Sequence, residues 1–242
     1  IISLFSGCGG LDLGFKKAGF KTILATDVWD KGCETLLHNK VSDIVINDDI
    51  RNIDFKKYKN KVTGIIGGPP CPPYSQARHY LQDKKKGFED EKAGFAVPEY
   101  FRVIEEVNPK FFLFENVDGF MYKTHTEALE FLEKKSKELG YNINYKVINS
   151  ANYGVPQTRK RFICIGIKKE FEKFEFPTET HIEPKKNNGD YLNWTTCGEV
   201  LKEFDNITEE EKTQKSPKIC STVSQKKRKK KKNIEQTKGK VL

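Results

Sequence analysis

Three groups of residues in this chain have side chains and spacing that could perform covalent chemistry. The first is Cys71, set in the run Gly67-Gly-Pro-Pro-Cys-Pro-Pro-Tyr-Ser75. Four prolines and two glycines make a stiff, irregular loop that suits neither helix nor sheet, but suits a thiol that must be held at a fixed angle. A buried, inert cysteine is the ordinary alternative, yet prolines at 69, 70, 72 and 73 are costly for packing and useful for presenting a nucleophile. The second is Glu115-Asn116-Val117, delivered by the apolar run Phe111–Phe114. A carboxyl beside such a run can have its pKa raised by desolvation and donate a proton near neutral pH; the plainer role is a helix cap. The third is Gln157-Thr-Arg-Lys-Arg161, where Arg159 and Arg161 stand two apart at the start of a strand-like run and so share a face. Such a pair can orient a carboxylate, a base carbonyl or a phosphate.

A second set could hold a nucleoside. Ser3-Leu-Phe-Ser-Gly-Cys-Gly-Gly-Leu-Asp-Leu-Gly-Phe15 reads as a strand, a glycine turn and a helix start. Glycines allow a tight turn, and free amides at a helix N-terminus can hold an anionic group. A dinucleotide fingerprint would need glycine at position 12, where Asp12 stands. Asp27 follows the second predicted strand and could accept hydrogen bonds from both ribose hydroxyls; Asp49 follows the third. Either alone would pass as a loop or cap acid, but with the glycine turn they outline a nucleoside-shaped site.

Positioning these residues requires a sheet. Apolar segments at Ile1–Phe5, Thr22–Ala25, Ile44–Ile46, Val62–Ile66 and Phe111–Phe114 are mostly separated by helix-patterned stretches at Leu11–Lys17, Trp29–Asn39 and Tyr100–Val107. That alternation predicts an α/β fold with a doubly wound, mostly parallel sheet. A helix at Thr126–Leu139 precedes strand-like runs at Tyr141–Asn149 and Arg161–Lys168, which suggest an antiparallel edge hairpin. The glycine turn, Asp27, Asp49, Cys71 and Glu115 all follow predicted strands, at the edge where open α/β sheets bind ligands. From about Phe176 the pattern weakens into Pro, Thr, Asn and Lys.

Bulk properties add limits. The net charge of +9 is concentrated at the end: residues 226–242 hold nine Lys/Arg and one Glu. The body is nearly neutral, so charge alone gives little support for nucleic-acid binding. The cysteines at 8, 33, 71, 164, 197 and 220 form neither a zinc-site spacing nor a disulfide framework, and His38, His79, His125 and His181 are scattered, so no metal is expected. The cysteine usage suits a reducing compartment, and no run reaches the roughly 18 apolar residues of a membrane span; a cytoplasmic location is expected. The chain opens at Ile1 inside an apolar strand, as a trimmed N-terminus would.

Phe-Ser-Gly-Cys-Gly-Gly-Leu, Pro-Pro-Cys, Glu-Asn-Val and Gln-Thr-Arg-Lys-Arg, in this order, resemble the motifs of the DNA cytosine-C5 methyltransferases over roughly residues 1–180. The resemblance implies the fold of S-adenosylmethionine-dependent methyltransferases. It implies that Phe5, Gly7, Gly9, Gly10 and Leu11 surround the methionine part of S-adenosyl-L-methionine, with Asp27 at its ribose, Asp49 and Ile50 at its adenine and Pro70 lining the pocket. Cys71 would be the nucleophile and Glu115 the acid. Arg161 would contact the cytosine carbonyl, Arg159 steady its loop or a phosphate, and Asn116 fix the site. The partner implied is double-stranded DNA with a flipped cytosine, in a prokaryotic restriction-modification setting. Pro72 stands where Gln is common in the family, and Ala96 where Leu is common. No target-recognition domain or late family motif follows residue 180, so residues 181–242 are expected to be a linker and an incomplete start of the small region, with a basic tail. The chain would then be a part truncated before target recognition, or broken by a shifted frame.

Two further readings are a noncatalytic fragment or one subunit of a split enzyme whose second chain supplies DNA recognition, and an amino-methylating DNA enzyme, since Cys71-Pro-Pro-Tyr74 approaches the Asp/Asn/Ser-Pro-Pro-Tyr signature. The second suffers from its first residue, because a thiol is a poor acceptor for an amino group. Asp12 disfavours a nicotinamide oxidoreductase.

Overall fold

The computed structural model describes residues 1–70, 94–122 and 126–202; Cys71 lies outside the described residues. Five parallel strands form the body of one sheet: β1 (Ile2–Leu4), β2 (Thr22–Asp27), β3 (Ser42–Asn47), β4 (Gly64–Gly67) and β5 (Phe111–Val117). With β6 (Tyr141–Asn149) and β7 (Lys160–Lys168) the order is β3-β2-β1-β4-β5-β7-β6. The expected doubly wound sheet and antiparallel edge hairpin are both present. The order reverses between β1 and β4, and the crevice at such a switch point, above the carboxyl ends of the strands, is where open α/β sheets bind ligands.

The strands follow from their sequences. Every residue of β1 and β4 is buried, as expected for short interior strands covered on both faces. In β5 burial alternates, with Phe112, Phe114 and Asn116 buried and Phe111, Leu113, Glu115 and Val117 half-buried on the other face. Helix α1 (Gly10–Lys17) meets the second set, Phe15 stacking on Phe111 at 6.0 Å. Helix α2 (Asp30–His38) contributes Leu36 to a small cluster with Ala25 and Val41.

Helix α3 (Ala96–Val107) covers the opposite face. Its buried residues, among them Val97, Tyr100, Phe101, Ile104 and Val107, recur at helical spacing. Tyr100 packs edge-on to Phe114 at 5.3 Å and donates a hydrogen bond to the Leu113 carbonyl at 2.6 Å. The helix starts earlier than the expected Tyr100, because Pro98 falls in its first turn, where a missing amide costs little. Helix α4 (Thr126–Glu138) adds Ala128 and Leu132 to the same core.

Two differences from the sequence expectation matter for the site. Strand β5 does not stop at Phe114. It pairs with β4 only as far as Gly67 opposite Phe114, but continues against β7 to Val117 opposite Arg161. Glu115 and Asn116 are therefore strand residues that overrun the end of β4. In addition, the later hairpin strand β7 inserts between β5 and β6, antiparallel to both.

The first compact unit runs from Ile1 to Trp194. A short pair, β8 (His181–Ile182) with β9 (Leu192–Asn193), follows the hairpin. Asn152 holds both ends of it, accepting the Thr180 amide at 3.0 Å and the Trp194 indole N–H at 2.9 Å. In the second unit, from Thr195, the described part is helix α5 (Cys197–Leu201), closed by a capping box between Thr196 and Glu199.

Candidate active site

Since β7 runs antiparallel to β5, its first residues lie at the carboxyl edge of the parallel strands, and this brings Arg161 to Glu115. Arg161 Nε lies 3.0 Å from Glu115 Oε1, and Arg161 Nη1 donates to the Lys160 carbonyl at 2.7 Å. Both side chains are about a quarter exposed, at 24% and 23%. Burial pushes the Glu115 carboxyl above the usual carboxylate range, and the guanidinium groups of Arg161 and Arg159 offset only part of that rise. A carboxyl held in this balance keeps its proton to a higher pH than a free carboxyl does and is still oriented by a cation.

The chain leaving β4 passes beneath this acid. A Cβ on Gly68 would stand 2.8 Å from Glu115 Oε2, so glycine there lets the carboxylate lie over the loop. A Cβ on Gly67 would meet the Leu4 carbonyl oxygen at 2.6 Å. Asn116, only 1% exposed, donates from Nδ2 to the Pro69 carbonyl at 3.4 Å, while its Oδ1 accepts the Val117 amide at 3.0 Å. The end of β5 thus grips the start of the proline segment two residues before Cys71. Pro70 is exposed at the last described position of that segment.

The glycine turn lies at the end of β1. Phe5 has φ 51° and Gly7 φ 54°, two successive left-handed bends separated by Ser6. Gly9 (φ 83°) caps α1, and a Cβ there would stand 2.8 Å from Leu36. Nothing lies within 4 Å of a Cβ built on Gly7 or Gly10, so the outer side of the turn is open. Leu11 follows in the first turn of α1, where backbone amides have no partner within the helix.

Asp27, the last residue of β2, closes the turn by accepting the Gly7 amide at 2.7 Å and the Trp29 amide at 2.8 Å, one on each carboxylate oxygen. Each oxygen keeps a further lone pair, so the carboxylate can also accept two hydroxyl donors. An open glycine turn beside this bidentate acceptor fits a ribose-bearing cofactor.

Asp49 and Ile50 lie on the next loop, joined to Asp27 through Asn47, whose Nδ2 donates to the Asp27 carbonyl at 3.1 Å. Asp49 caps a short 3-10 turn over Ile50–Asn52 and pairs with Arg51 at 2.6 Å, which holds its carboxyl below the usual range. The Arg51 guanidinium rests 4.1 Å from the Phe95 ring. Ile50 is buried, and its carbonyl accepts Arg102 at 2.8 Å.

The structure therefore groups Glu115, Asn116 and Arg161 with the start of the proline segment, and Phe5, Gly7 and Asp27 into one turn. Arg159 is exposed just before β7, its backbone pinned by Asn149 Oδ1 at 3.1 Å and the Ser150 amide at 3.0 Å. Sequence reasoning missed Gly68, Asn149 and Arg51 as supports. Arg51 carried a readable signal, a cation two residues after a capping aspartate. Gly68 and Asn149 carried none, because their contacts cross the sheet or the hairpin. Among the described residues no three His, Cys, Asp or Glu could share a metal ion, and no helix is long and apolar enough to cross a membrane.

The chain is 42% identical over 187 residues to the type II methyltransferase M.NgoPII of Neisseria gonorrhoeae, covering 76% of this chain and 53% of that protein. It is 37% identical over 196 residues to M.AquIA of a Picosynechococcus strain, covering 75% and 76%. The solved structure of Schizosaccharomyces pombe Dnmt2 methyltransferase superposes with a TM-score of 0.55 at 21% identity, over 72% of this chain and 50% of that one, a likeness of fold. The chain spans about half the length of M.NgoPII, M.FnuDI and M.MthTI, at 53%, 50% and 52%. The family described as C-5 cytosine-specific DNA methylase matches residues 1–241, and the chain belongs to that family.

Proposed function

We propose that the chain is the catalytic part of a DNA cytosine-C5 methyltransferase, acting through Cys71 and Glu115 on a cytosine turned out of the duplex. The observation that carries this reading is the Glu115–Arg161 pair at the overrunning end of β5, where the neighbouring Asn116 grips the segment leading into Cys71. Cytosine C5 is too weak a nucleophile to be methylated unaided. The Cys71 thiolate adds to C6 while Glu115 gives a proton or hydrogen bond to N3, which moves electron density onto C5. S-adenosyl-L-methionine would be held by Phe5, Gly7, Gly9, Gly10, Leu11, Asp27, Asp49, Ile50 and Pro70, and would supply the electrophilic methyl group to C5 as its S–CH3 bond breaks and S-adenosylhomocysteine leaves. Loss of the C5 proton and expulsion of the thiolate restore the aromatic base. Arg161 holds Glu115 and faces the base carbonyl, while Arg159 steadies its loop against a phosphate. C6 is unreachable within the stack, so the base must be extruded.

Residues 1–180 carry this chemistry, and residues 181–242 begin the region that would bear target recognition. The type II methyltransferase relatives support a prokaryotic, cytoplasmic restriction-modification setting. A second reading, that a separate chain supplies DNA recognition, is favoured by M.AquIA, of whose length this chain matches 76%.

The test is transfer of labelled methyl from S-adenosyl-L-methionine to mixed-sequence DNA, with the product base identified by mass spectrometry. 5-Methylcytosine that disappears in Cys71→Ser supports the assignment. An N4-methylcytosine or N6-methyladenine product overturns it.

A further inference from the structure

The Asp12 carboxylate is fully buried at 0% exposure and takes no part in the chemistry above. It sits in the first turn of α1 and accepts two hydroxyls, Ser3 Oγ at 2.9 Å on Oδ2 and Thr22 Oγ1 at 3.0 Å on Oδ1. Ser3 in turn accepts the Ser6 hydroxyl at 2.8 Å, a hydroxyl also 3.1 Å from the Ser3 carbonyl. Each serine has one hydroxyl proton. Because a carboxylate can only accept, Ser3 points its proton at Asp12, and its oxygen is left to accept the Ser6 proton at 2.8 Å, the shorter of that hydroxyl's two contacts. Asp12 thus sets the orientation of the Ser3 hydroxyl that Ser6 meets.

Ser6 is the centre of the glycine turn. Its amide donates to the Thr26 carbonyl at 3.0 Å, its carbonyl accepts the Gly9 amide at 2.9 Å, and the next amide, of Gly7, is the one held by Asp27. With Phe5 and Gly7 both at positive φ, the backbone on either side of Ser6 is in a conformation that Phe5 adopts only under constraint. The hydroxyl relay anchors the turn from beneath, at the one side chain between the two bends. Thr22, at the start of β2, lies on the other branch and does not lead to the turn.

We propose that Asp12 is a positioning residue for the cofactor, fixing the Phe5–Gly7 turn through the Ser3–Ser6 relay. This rests on the assignment of that turn to S-adenosyl-L-methionine. Asp12 occupies the place where a dinucleotide-binding turn would have its third glycine, so the same point in the fold carries an anchor instead of a close approach.

The test uses the full chain and S-adenosylhomocysteine as the probe, measured by titration calorimetry, with thermal unfolding of each variant. Ser3→Ala should weaken binding about threefold to tenfold, the equivalent of one hydrogen bond's net contribution to the bound conformation. Thr22→Val, which breaks the other Asp12 bond, should lower the melting temperature to a similar extent and leave the affinity unchanged. Asp27→Ala tests the site itself. Weakening by Asp27→Ala but not by Ser3→Ala overturns the role of Asp12 and leaves the site standing; an Asp27→Ala variant that binds like the wild type overturns both. Amide hydrogen exchange at Gly7 and Gly9 reads the anchor without ligand: exchange accelerated in Ser3→Ala but not in Thr22→Val supports the relay, and equal exchange in the two contradicts it.

Discussion

Arg161 Nε lies 3.0 Å from Glu115 Oε1 across a strand pair whose register sets Val117, not Glu115, opposite Arg161. The two side chains meet diagonally, within the reach of long residues two positions apart on an antiparallel pair. The cation can thus stabilise the carboxylate without displacing it from the end of β5, and burial still leaves the net pKa raised. The proton donation proposed for Glu115 requires that imbalance.

Glu115→Gln should lower methyl transfer by roughly 10²- to 10⁴-fold, the usual contribution of a positioned acid, with little change in cofactor binding. The carboxyl also affects stability. Its folded pKa is raised, so the folded state binds the proton more tightly than the unfolded chain, and relative stability is highest at low pH and falls as pH rises through the folded pKa. The wild type should therefore match the Gln variant most closely below about pH 4 and fall behind it by about pH 8, as read from paired thermal melts.

Arg161→Lys should fail to restore activity even though it keeps the charge. Arg161 uses Nε on Glu115 and Nη1 on the Lys160 carbonyl at once, and an ammonium cannot reproduce that fork. Kinetics of Arg161→Lys and Arg161→Ala should show similar losses in kcat.

Gly68→Ala should push the Glu115 carboxylate aside, since its Cβ would stand 2.8 Å from Oε2. A displacement of this size at an acid costs on the order of 10²-fold in rate. S-adenosylhomocysteine affinity, measured in parallel, should stay within about twofold, because no more than a single weak contact is at stake there.

Asn116→Leu should remove a donor from the buried Pro69 carbonyl and cost about 1–3 kcal/mol in denaturant unfolding. Methyl transfer should fall further than stability, because the same bond holds the segment leading to Cys71.

Much of this arrangement was legible in the sequence because the parallel strands announce themselves as short apolar runs, and most of the candidate site residues stand at or just beyond the carboxyl ends of those runs. The glycine turn, Asp27 and the hairpin were found on that basis. The overrun of β5 was not, because Glu115 and Asn116 are polar and read as the end of a strand; only pairing with β7 keeps them extended. The insertion of β7 between β5 and β6 was equally hidden, since a hairpin pattern does not say which of its strands faces the sheet. Asp12 read as a departure from a glycine pattern, and only the fold reveals its hydroxyl partners on β1 and β2.

The most direct measurement of the central claim is to offer the full chain DNA carrying 5-fluorocytosine together with S-adenosyl-L-methionine. Fluorine at C5 cannot leave as a proton does, so a thiolate adduct at C6 would remain trapped. The account predicts a denaturation-resistant protein–DNA complex whose modified peptide contains Cys71, absent in Cys71→Ala. Methylation of DNA with no such complex, or a complex that survives the Cys71→Ala change, would contradict it.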